Sequence, residues 1–368
     1  MAEYYVGTLS GTSADGIDVV LVDCAEPRPQ LIAARTAPLP EAVRHQIRAL
    51  SVPGDDEIER LGRLDVTLGR LIARAINDLL AEAGMASSDV VAIGSHGQTL
   101  RHRPDADPPF TLQVGDPNTI AALTGIATVT DFRRMDMALG GQGAPLAPIF
   151  HAAAFRETGV DTAVLNIGGI ANLTLLPGDP SRHVSGFDTG PGNCLMDEWA
   201  QRHLGKPFDA QGGWAATGTP IPNLVDAWLD DPYFAAPIPK STGREHFNLA
   251  WAQAGTDLDI HAQADVQATL LELTVASIAR ALYTHFPVCE SLLVCGGGAH
   301  NPWLMTRLSQ SLQGIAVDTT MVRGVPPDWV EGCAFAHLAR ARMLDQPVAT
   351  RDITGAHRDA ILGVIHLP

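Results

Sequence analysis

Small and polar residues lie between two apolar runs at the start of the chain. They are Ser10, Gly11, Thr12, Ser13, Asp15 and Gly16, and the apolar Ile17 follows them as a further candidate nucleotide contact. Glycines let a backbone approach a ligand closely, and hydroxyls and free amides suit phosphate oxygens. The carboxylates of Asp15 and Asp18 would repel phosphate unless a divalent cation lay between them, as Mg²⁺ does with nucleotides. The segment therefore predicts a phosphate-binding turn, with a plain surface hairpin as the alternative.

A second glycine-rich turn occurs in the other half of the chain. Gly168 and Gly169 separate the apolar runs 162–167 and 170–176. This repetition predicts two related domains that hold a phosphate chain from both sides. A third run, Gly296, Gly297 and Gly298, follows a predicted strand and precedes a helix that Pro302 opens. Such a junction suits a nucleoside and its α-phosphate.

Asp188 is the candidate general base. It lies in the string Gly-Phe-Asp-Thr-Gly-Pro-Gly-Asn, directly after the predicted strand 184–187. A carboxylate held on a sharp turn beside backbone donors can accept a proton from a reacting group. An ordinary Asx turn is the alternative interpretation.

Other polar side chains follow predicted strands, where ligands bind in α/β proteins. His96 and Gln98 come at the end of the predicted strand 90–95. Arg133 and Arg134 precede a glycine-rich loop that contains Gln142. The planar fork of arginine matches a substrate carboxylate. A satisfied loop histidine and a surface salt-bridge cluster are the alternatives.

The surrounding elements alternate between strands and amphipathic helices, which is typical of an α/β protein. Long helices are predicted from residue 55 to Gly84 and over 265–285, and a buried strand over 291–295. The predicted domains are 1–132 and 133–349, with the tail 350–368 as a candidate completion of the first.

Composition excludes several classes of protein. The 368 residues hold 25 Lys and Arg against 41 Asp and Glu, a formal net charge of −16. Neither nucleic acid nor an anionic membrane is therefore an expected partner. No apolar run spans a bilayer, no export signal is evident, and five scattered cysteines suit a cytoplasmic protein. The only lysines are Lys206 and Lys240, and no P-loop motif occurs.

Together these motifs resemble those of the anhydro-N-acetylmuramic acid kinase family, within the actin-like and hexokinase-like ATPase superfamily. The strings that carry the resemblance are 10–18, 95–99, 140–146, 186–193 and 296–301. The resemblance extends from Val6 to about Leu344. It implies two domains of mixed β-sheet flanked by helices around a central cleft.

The resemblance also implies a reaction. ATP and water would convert 1,6-anhydro-N-acetylmuramic acid to N-acetylmuramic acid 6-phosphate, in peptidoglycan recycling and amino-sugar catabolism. Asp188 would activate the water, and the three glycine motifs would bind ATP with Mg²⁺ at Asp15 or Asp18. Substrate contacts are implied for His96, Gln98, Gln113, Arg133, Arg134, Gln142 and Glu331. A cytoplasmic homodimer is implied as well.

Two alternatives stay open. Another sugar or amino-sugar kinase of this fold would use Asp188 as a base without attack by water. An ATP-binding sensor or assembly protein would need neither a sugar pocket nor that base.

Overall fold

The computed structural model describes residues 2–11, 14–26 and 28–368. The predicted phosphate contacts Thr12 and Ser13 lie outside the described residues. The chain divides into two compact units, one formed by 1–154 with 329–368 and the other by 155–328. This division differs from the predicted domains 1–132 and 133–349. The residues from 329 onward belong to the first unit because the helix that begins at Val330 packs on the first sheet.

The strands have the following bounds: β1 (Tyr4–Ser10), β2 (Gly16–Asp23), β3 (Gln30–Pro38), β4 (Val90–Arg103), β5 (Phe110–Val114), β6 (Thr128–Thr130), β7 (Thr162–Ile167), β8 (Ile170–Leu176), β9 (Ser185–Pro191), β10 (Ser291–Cys295), β11 (Ala316–Thr319) and β12 (Val364–His366). The α-helices are α1 (Glu41–Leu50), α2 (Glu57–Glu82), α3 (Pro117–Thr124), α4 (Arg134–Ala138), α5 (Ala147–Phe155), α6 (Cys194–Leu204), α7 (Pro222–Leu229), α8 (Pro232–Ala235), α9 (Leu249–Ala252), α10 (Gln263–His285), α11 (Pro302–Ser311), α12 (Val330–Met343) and α13 (Thr350–Thr354).

The two sheets share a core of five strands, to which the first sheet adds the antiparallel strands β5 and β12. In the first unit the strand order is β12-β6-β4-β1-β2-β3, with β5 paired to β4. In the second unit the order is β11-β10-β7-β8-β9. Each sheet has a glycine-linked hairpin, a third antiparallel strand on one side and parallel strands on the other. The prediction of two related mixed-sheet α/β units is therefore confirmed.

Each unit has its own apolar core. Long helix α2 buries Leu68, Ile72 and Ile76 in the core of the first unit. Helix α10 buries Leu270 and Ile278 in the core of the second. The leucine and isoleucine spacing along both helices is the i, i+4 pattern that places side chains on one face. Within the described residues, no helix is long and apolar enough to cross a bilayer.

Helix α12 crosses the first sheet at two glycines. A Cβ at Gly7 of β1 would lie 2.0 Å from the Gly332 oxygen, and one at Gly94 of β4 would lie 2.0 Å from the Phe335 oxygen. Only glycine permits this approach of helix and strand backbones. The crossing fixes the start of α12, where Glu331 lies.

Two local predictions were wrong. Strand β4 does not end at residue 95, because after its parallel register with β1 it continues in an antiparallel register with β5, where Gln98 lies opposite Val114. Asp188 is not on a turn either. It lies within β9, opposite Asn172 of β8, next to a register shift in that ladder. In both cases strand pairing kept the chain extended where the nearby glycines had predicted a turn or the end of a strand.

Candidate active site

A buried hydrogen bond joins the start of the first hairpin turn to strand β4. Ser10 Oγ donates to Oε1 of Gln98 over 2.6 Å, and both side chains are buried. The Gln98 amide nitrogen donates to the Thr99 carbonyl. These contacts make Gln98 a support for the end of β1. Ser10 is itself buried, so little of its side chain is accessible to a ligand.

The described part of the turn is open on its outer side. A Cβ at Gly11 would meet no atom of the described residues within 4 Å. Ala14 has a φ of 55°, and its amide donates to the Gly11 carbonyl over 3.0 Å. Gly16 instead packs against Thr36 of β3, and Ile17 is buried, so these two residues can offer only backbone groups.

Two carboxylates flank this turn in different surroundings. Asp15 is exposed, and its side chain makes no hydrogen bond or ion pair within the part of the chain that the structure describes. Asp18 accepts a 2.6 Å hydrogen bond from Thr36 Oγ1. Among the described residues no three His, Cys, Asp or Glu side chains form a metal-binding group. Mg²⁺ bound with nucleotide phosphates needs only one or two protein carboxylates, so Asp15 fits such an ion.

His96, Arg133 and Glu331 form one cluster in the first unit. Arg133 donates from Nε and Nη2 to Nε2 of His96, at 3.0 and 2.9 Å, and from Nη1 to the Gly143 carbonyl at 2.7 Å. His96 is therefore neutral, with its proton on Nδ1, which lies 3.2 Å from the Gly97 carbonyl oxygen. Burial and the neighbouring Arg133 charge hold the pKa of His96 well below its usual range.

The charge of Asp18, next to the first hairpin turn, acts on Glu331 in this cluster. Burial lowers the pKa of Arg133 to about 10, although the charges of Glu331 and Asp136 oppose that shift. Desolvation by neighbouring groups raises the pKa of Glu331, although this residue is exposed; the Arg133 charge acts against that rise, and Asp18 adds to it. The cluster therefore contains a partly desolvated guanidinium that an additional anion would stabilise.

Arg134 lies in different surroundings from Arg133. It is exposed, and both its Nε and its Nη2 donate to the Asp131 carboxylate, at 2.8 and 2.7 Å. Its charge is thereby already neutralised. Arg134 also lines a cavity of about 260 Å³ together with His96 and Gln113. Gln142 is exposed at another place in the unit, where its backbone amide donates to the Thr354 carbonyl.

In the second unit, the second hairpin, the start of α6 and the glycine triplet meet at one place. The amides of Gly192 and Asn193 donate to the Gly169 and Gly168 carbonyls, at 2.9 and 2.8 Å. Gly296 lies against Asn166, where a Cβ would be 2.3 Å from its side-chain oxygen. The structure thus brings together two glycine motifs that are more than 120 residues apart in the sequence.

A cavity of about 310 Å³ opens beside the glycine triplet. Its lining includes Asp197, Gln267, Gly297 and Asn301. Gln267 is fully buried, and neither its amide nitrogen nor its amide oxygen has a hydrogen-bond partner in the described part of the chain. A buried amide without partners is costly, so a polar ligand or a water is expected to complete it. Of the triplet, only Gly297 lines this cavity, since Gly298 packs against Ile167.

Asp188 is held by a loop from the same unit. Its Oδ2 accepts a 3.0 Å hydrogen bond from the Thr242 amide, and its own amide donates to the Lys240 carbonyl over 3.0 Å. The Tyr233 hydroxyl donates to the Asp188 carbonyl over 2.8 Å. Burial raises the pKa of Asp188 to about 6, and the Thr242 hydrogen bond limits that rise. This pKa suits a general base that works near neutral pH.

The sequence of this chain matches one family over almost its whole length. The profile of the anhydro-N-acetylmuramic acid kinase family matches residues 3–368. A relative from Shewanella sp. (strain W3-18-1), named anhydro-N-acetylmuramic acid kinase, is 53% identical over 98% of this chain and 97% of its own length. The chain belongs to this family. A relative of the same name from Saccharophagus degradans is 50% identical over 99% of both chains.

Membership of this kinase family confirms the resemblance predicted from the motifs. A ROK family glucokinase from Streptomyces griseus, solved in complex with glucose and AMPPNP, is similar at a TM-score of 0.39 and 15% identity, over 92% of this chain and 99% of that chain. That likeness is too distant to bear on the activity of this family member.

Several residues at these sites were not found from sequence. They are Tyr233, Lys240 and Thr242, which hold Asp188, Gln267 in the cavity, and Arg244 beside the second hairpin. The string Lys-Ser-Thr-Gly-Arg-Glu, at 240–245, was the available signal, because it combines a glycine with charged and hydroxyl side chains. Gln267 gave no signal, since it lies within an ordinary helical pattern.

Proposed function

We propose that this chain uses ATP and water to convert 1,6-anhydro-N-acetylmuramic acid to N-acetylmuramic acid 6-phosphate and ADP. The reaction would serve peptidoglycan recycling and amino-sugar catabolism. The observation that carries the proposal is the surroundings of Asp188, a half-buried carboxylate with a raised pKa in a member of this kinase family. The two hairpin turns and the cavity beside Gly297 suit ATP as the phosphoryl donor.

Asp188 accepts a proton from water as the water oxygen bonds to the anomeric carbon of the sugar. The bond from that carbon to O6 breaks, and O6 bonds to the γ-phosphorus while the bond to the ADP oxygen breaks. One base therefore serves ring opening and phosphoryl transfer together. The remaining work is positioning and charge neutralisation, which dominate phosphoryl transfer.

Each unit by itself offers groups suited to a nucleotide. In the second unit the Gly169 amide is the group offered to the phosphates, since the Gly168 amide already donates to the Ile170 carbonyl over 3.2 Å. The cavity lined by Gln267 takes the nucleoside. In the first unit Gly11 is the candidate phosphate contact. Mg²⁺ bound with the nucleotide would neutralise phosphate charge, and Asp15 is the carboxylate best placed to face it. Asp18 is the weaker candidate because Thr36 already donates to it.

Arg133 binds the lactyl carboxylate of the substrate. Its guanidinium is desolvated and paired with a neutral histidine and a backbone carbonyl, so an added carboxylate gains a charge partner there. Arg134 already has that partner in Asp131. His96 fixes the orientation of Arg133 through its unprotonated Nε2.

Arg133→Met and Arg134→Met should therefore differ. We expect Arg133→Met to lower kcat/KM roughly a hundredfold, mostly through KM, because a charge-assisted contact is lost. Arg134→Met should change kcat/KM by less than about threefold, as exposed salt bridges contribute little. Steady-state assays with varied sugar measure both values. Equal losses in the two variants would contradict this assignment.

Mass spectrometry of the product tests the proposed function. The chain is incubated with Mg-ATP and 1,6-anhydro-N-acetylmuramic acid in H₂¹⁸O. The expected product is a 6-phosphate that carries ¹⁸O at the anomeric carbon. A phosphorylated product without the label would point to another sugar-kinase reaction, and the absence of phosphorylated sugar would refute the proposed substrate.

A cytoplasmic location and a homodimer stay predictions from family resemblance. Sedimentation analysis of the purified chain would test the dimer, and a monomer at micromolar concentration would contradict it.

A further inference from the structure

The charge of the transferred phosphoryl group needs a protein cation. The chain has no P-loop lysine, and one of its two lysines, Lys240, donates to the Tyr233 and Phe234 carbonyls at 2.8 and 3.1 Å. In phosphoryl transfer, a cation close to the γ-phosphoryl group stabilises the charge that spreads over its oxygens. The second unit contains an arginine in a position to serve.

Arg244 lies directly against the turn of the second hairpin. A Cβ built on Gly169 would be 2.8 Å from both Nε and Nη2 of Arg244. Because Gly169 has no side chain, the edge of the Arg244 guanidinium can lie against it. The backbone amide expected to face phosphate oxygens belongs to this same turn, so Arg244 and a phosphate bound there would be neighbours.

Arg244 also has unused hydrogen-bond donors. Its side chain is exposed and, within the described ranges, makes no hydrogen bond or ion pair. Burial raises the pKa of Asp197 to about 7, and the Arg244 charge limits that rise. The other arginines of this unit are engaged with carboxylates or backbone carbonyls: Arg156, Arg182, Arg202, Arg280, Arg307 and Arg323. A guanidinium with free donors at a phosphate-binding turn is suited to an anionic ligand.

One short loop carries both Arg244 and the contacts that hold the base. The Lys240 carbonyl and the Thr242 amide bind Asp188, and Arg244 follows two residues after Thr242. The position of the cation is therefore tied to the position of the general base. Ring opening and phosphoryl transfer are expected to share this loop.

We propose that Arg244 is a catalytic residue that donates hydrogen bonds to the γ-phosphoryl oxygens during transfer. This inference rests on the proposed function for the identity of the acceptor, but its contact with the nucleotide does not depend on the sugar. The pair Arg244→Met and Arg244→Lys tests it, with Arg202→Met as the matched control. Arg202 binds Asp259 away from these motifs.

Calorimetric titration with ADP and with AMPPNP, without sugar, is the first measurement. Arg244→Met should bind AMPPNP about tenfold more weakly, the effect of losing one hydrogen bond to a charged group, while ADP affinity stays within about twofold. Arg202→Met should match the wild type with both nucleotides. Equal weakening of ADP and AMPPNP, or no weakening of either, would overturn the proposal.

Turnover supplies the second measurement. Arg244→Met should lower kcat roughly a hundredfold to a thousandfold, as loss of one transition-state donor does, and Arg244→Lys should recover only part of it because a point charge replaces a planar fork. A variant within fivefold of wild-type kcat would refute a catalytic role. If the wild type fails to phosphorylate the sugar, the proposed function fails, and the nucleotide titrations still decide the role of Arg244.

Discussion

Asp188→Asn should lower kcat about a thousandfold, within the range that a positioned general base contributes. The amide is nearly isosteric with the carboxylate but cannot accept the proton from water. The Thr242 amide can still donate to the retained oxygen, so the loop over Asp188 should keep its place. A coupled assay of ADP formation with saturating sugar and Mg-ATP measures the loss.

The pH dependence provides an independent signature of the same residue. Burial raises the pKa of Asp188 to about 6, so the carboxyl becomes protonated, and inactive as a base, as the pH falls through that value. Wild-type kcat/KM should therefore fall about tenfold per pH unit below pH 6 and be level above it. The residual activity of Asp188→Asn should lack this acidic limb.

Asp226→Asn is the matched control, because Asp226 is an exposed residue of α7 in the same unit. It should keep wild-type kcat and the acidic limb. Asp188→Asn activity within tenfold of wild type would show that another group accepts the proton. Retention of the acidic limb by that variant would assign the titration to a different residue.

Gly94→Ala is expected to have the largest effect on stability. The new methyl group would lie 2.0 Å from the Phe335 oxygen and 2.7 Å from its carbonyl carbon, so β4 and α12 would have to separate. Backbone atoms cannot rotate out of the way as a side chain can, and we expect a loss of about 3 kcal/mol in the free energy of unfolding of the first unit. Denaturant titration followed by circular dichroism measures it.

The same substitution should also reduce activity, because α12 carries Glu331 at its start. Gly62→Ala is the control within the same unit. Gly62 is exposed in the second turn of α2, with no described atom within 4 Å of a new Cβ apart from the helix's own backbone, so alanine there should stabilise the helix by about 0.5–1 kcal/mol. Equal stability of Gly94→Ala and wild type would show that the crossing tolerates a methyl group.

The sequence by itself determined the features that depend on residues close together in the chain. Each glycine turn, the long helices and the buried strand at 291–295 are encoded by residues that are near neighbours in the chain, so composition and periodicity were sufficient. The repeated hairpin also predicted two related units, and both sheets have that shared strand order. Asp188 was found from sequence because its motif is contiguous, although its placement on a turn was wrong.

Only the tertiary structure decided which side chains have partners. Arg133 and Arg134 are adjacent in sequence, yet one contacts His96, 37 residues away, and the other pairs with Asp131. Gln98 proved to be buried beneath Ser10, and Arg244 proved to lie at Gly169. Burial, charge pairing and pKa depend on the distances between segments that folding brings together. Those distances follow from sheet pairing and helix crossings, and no local pattern of residues specifies them.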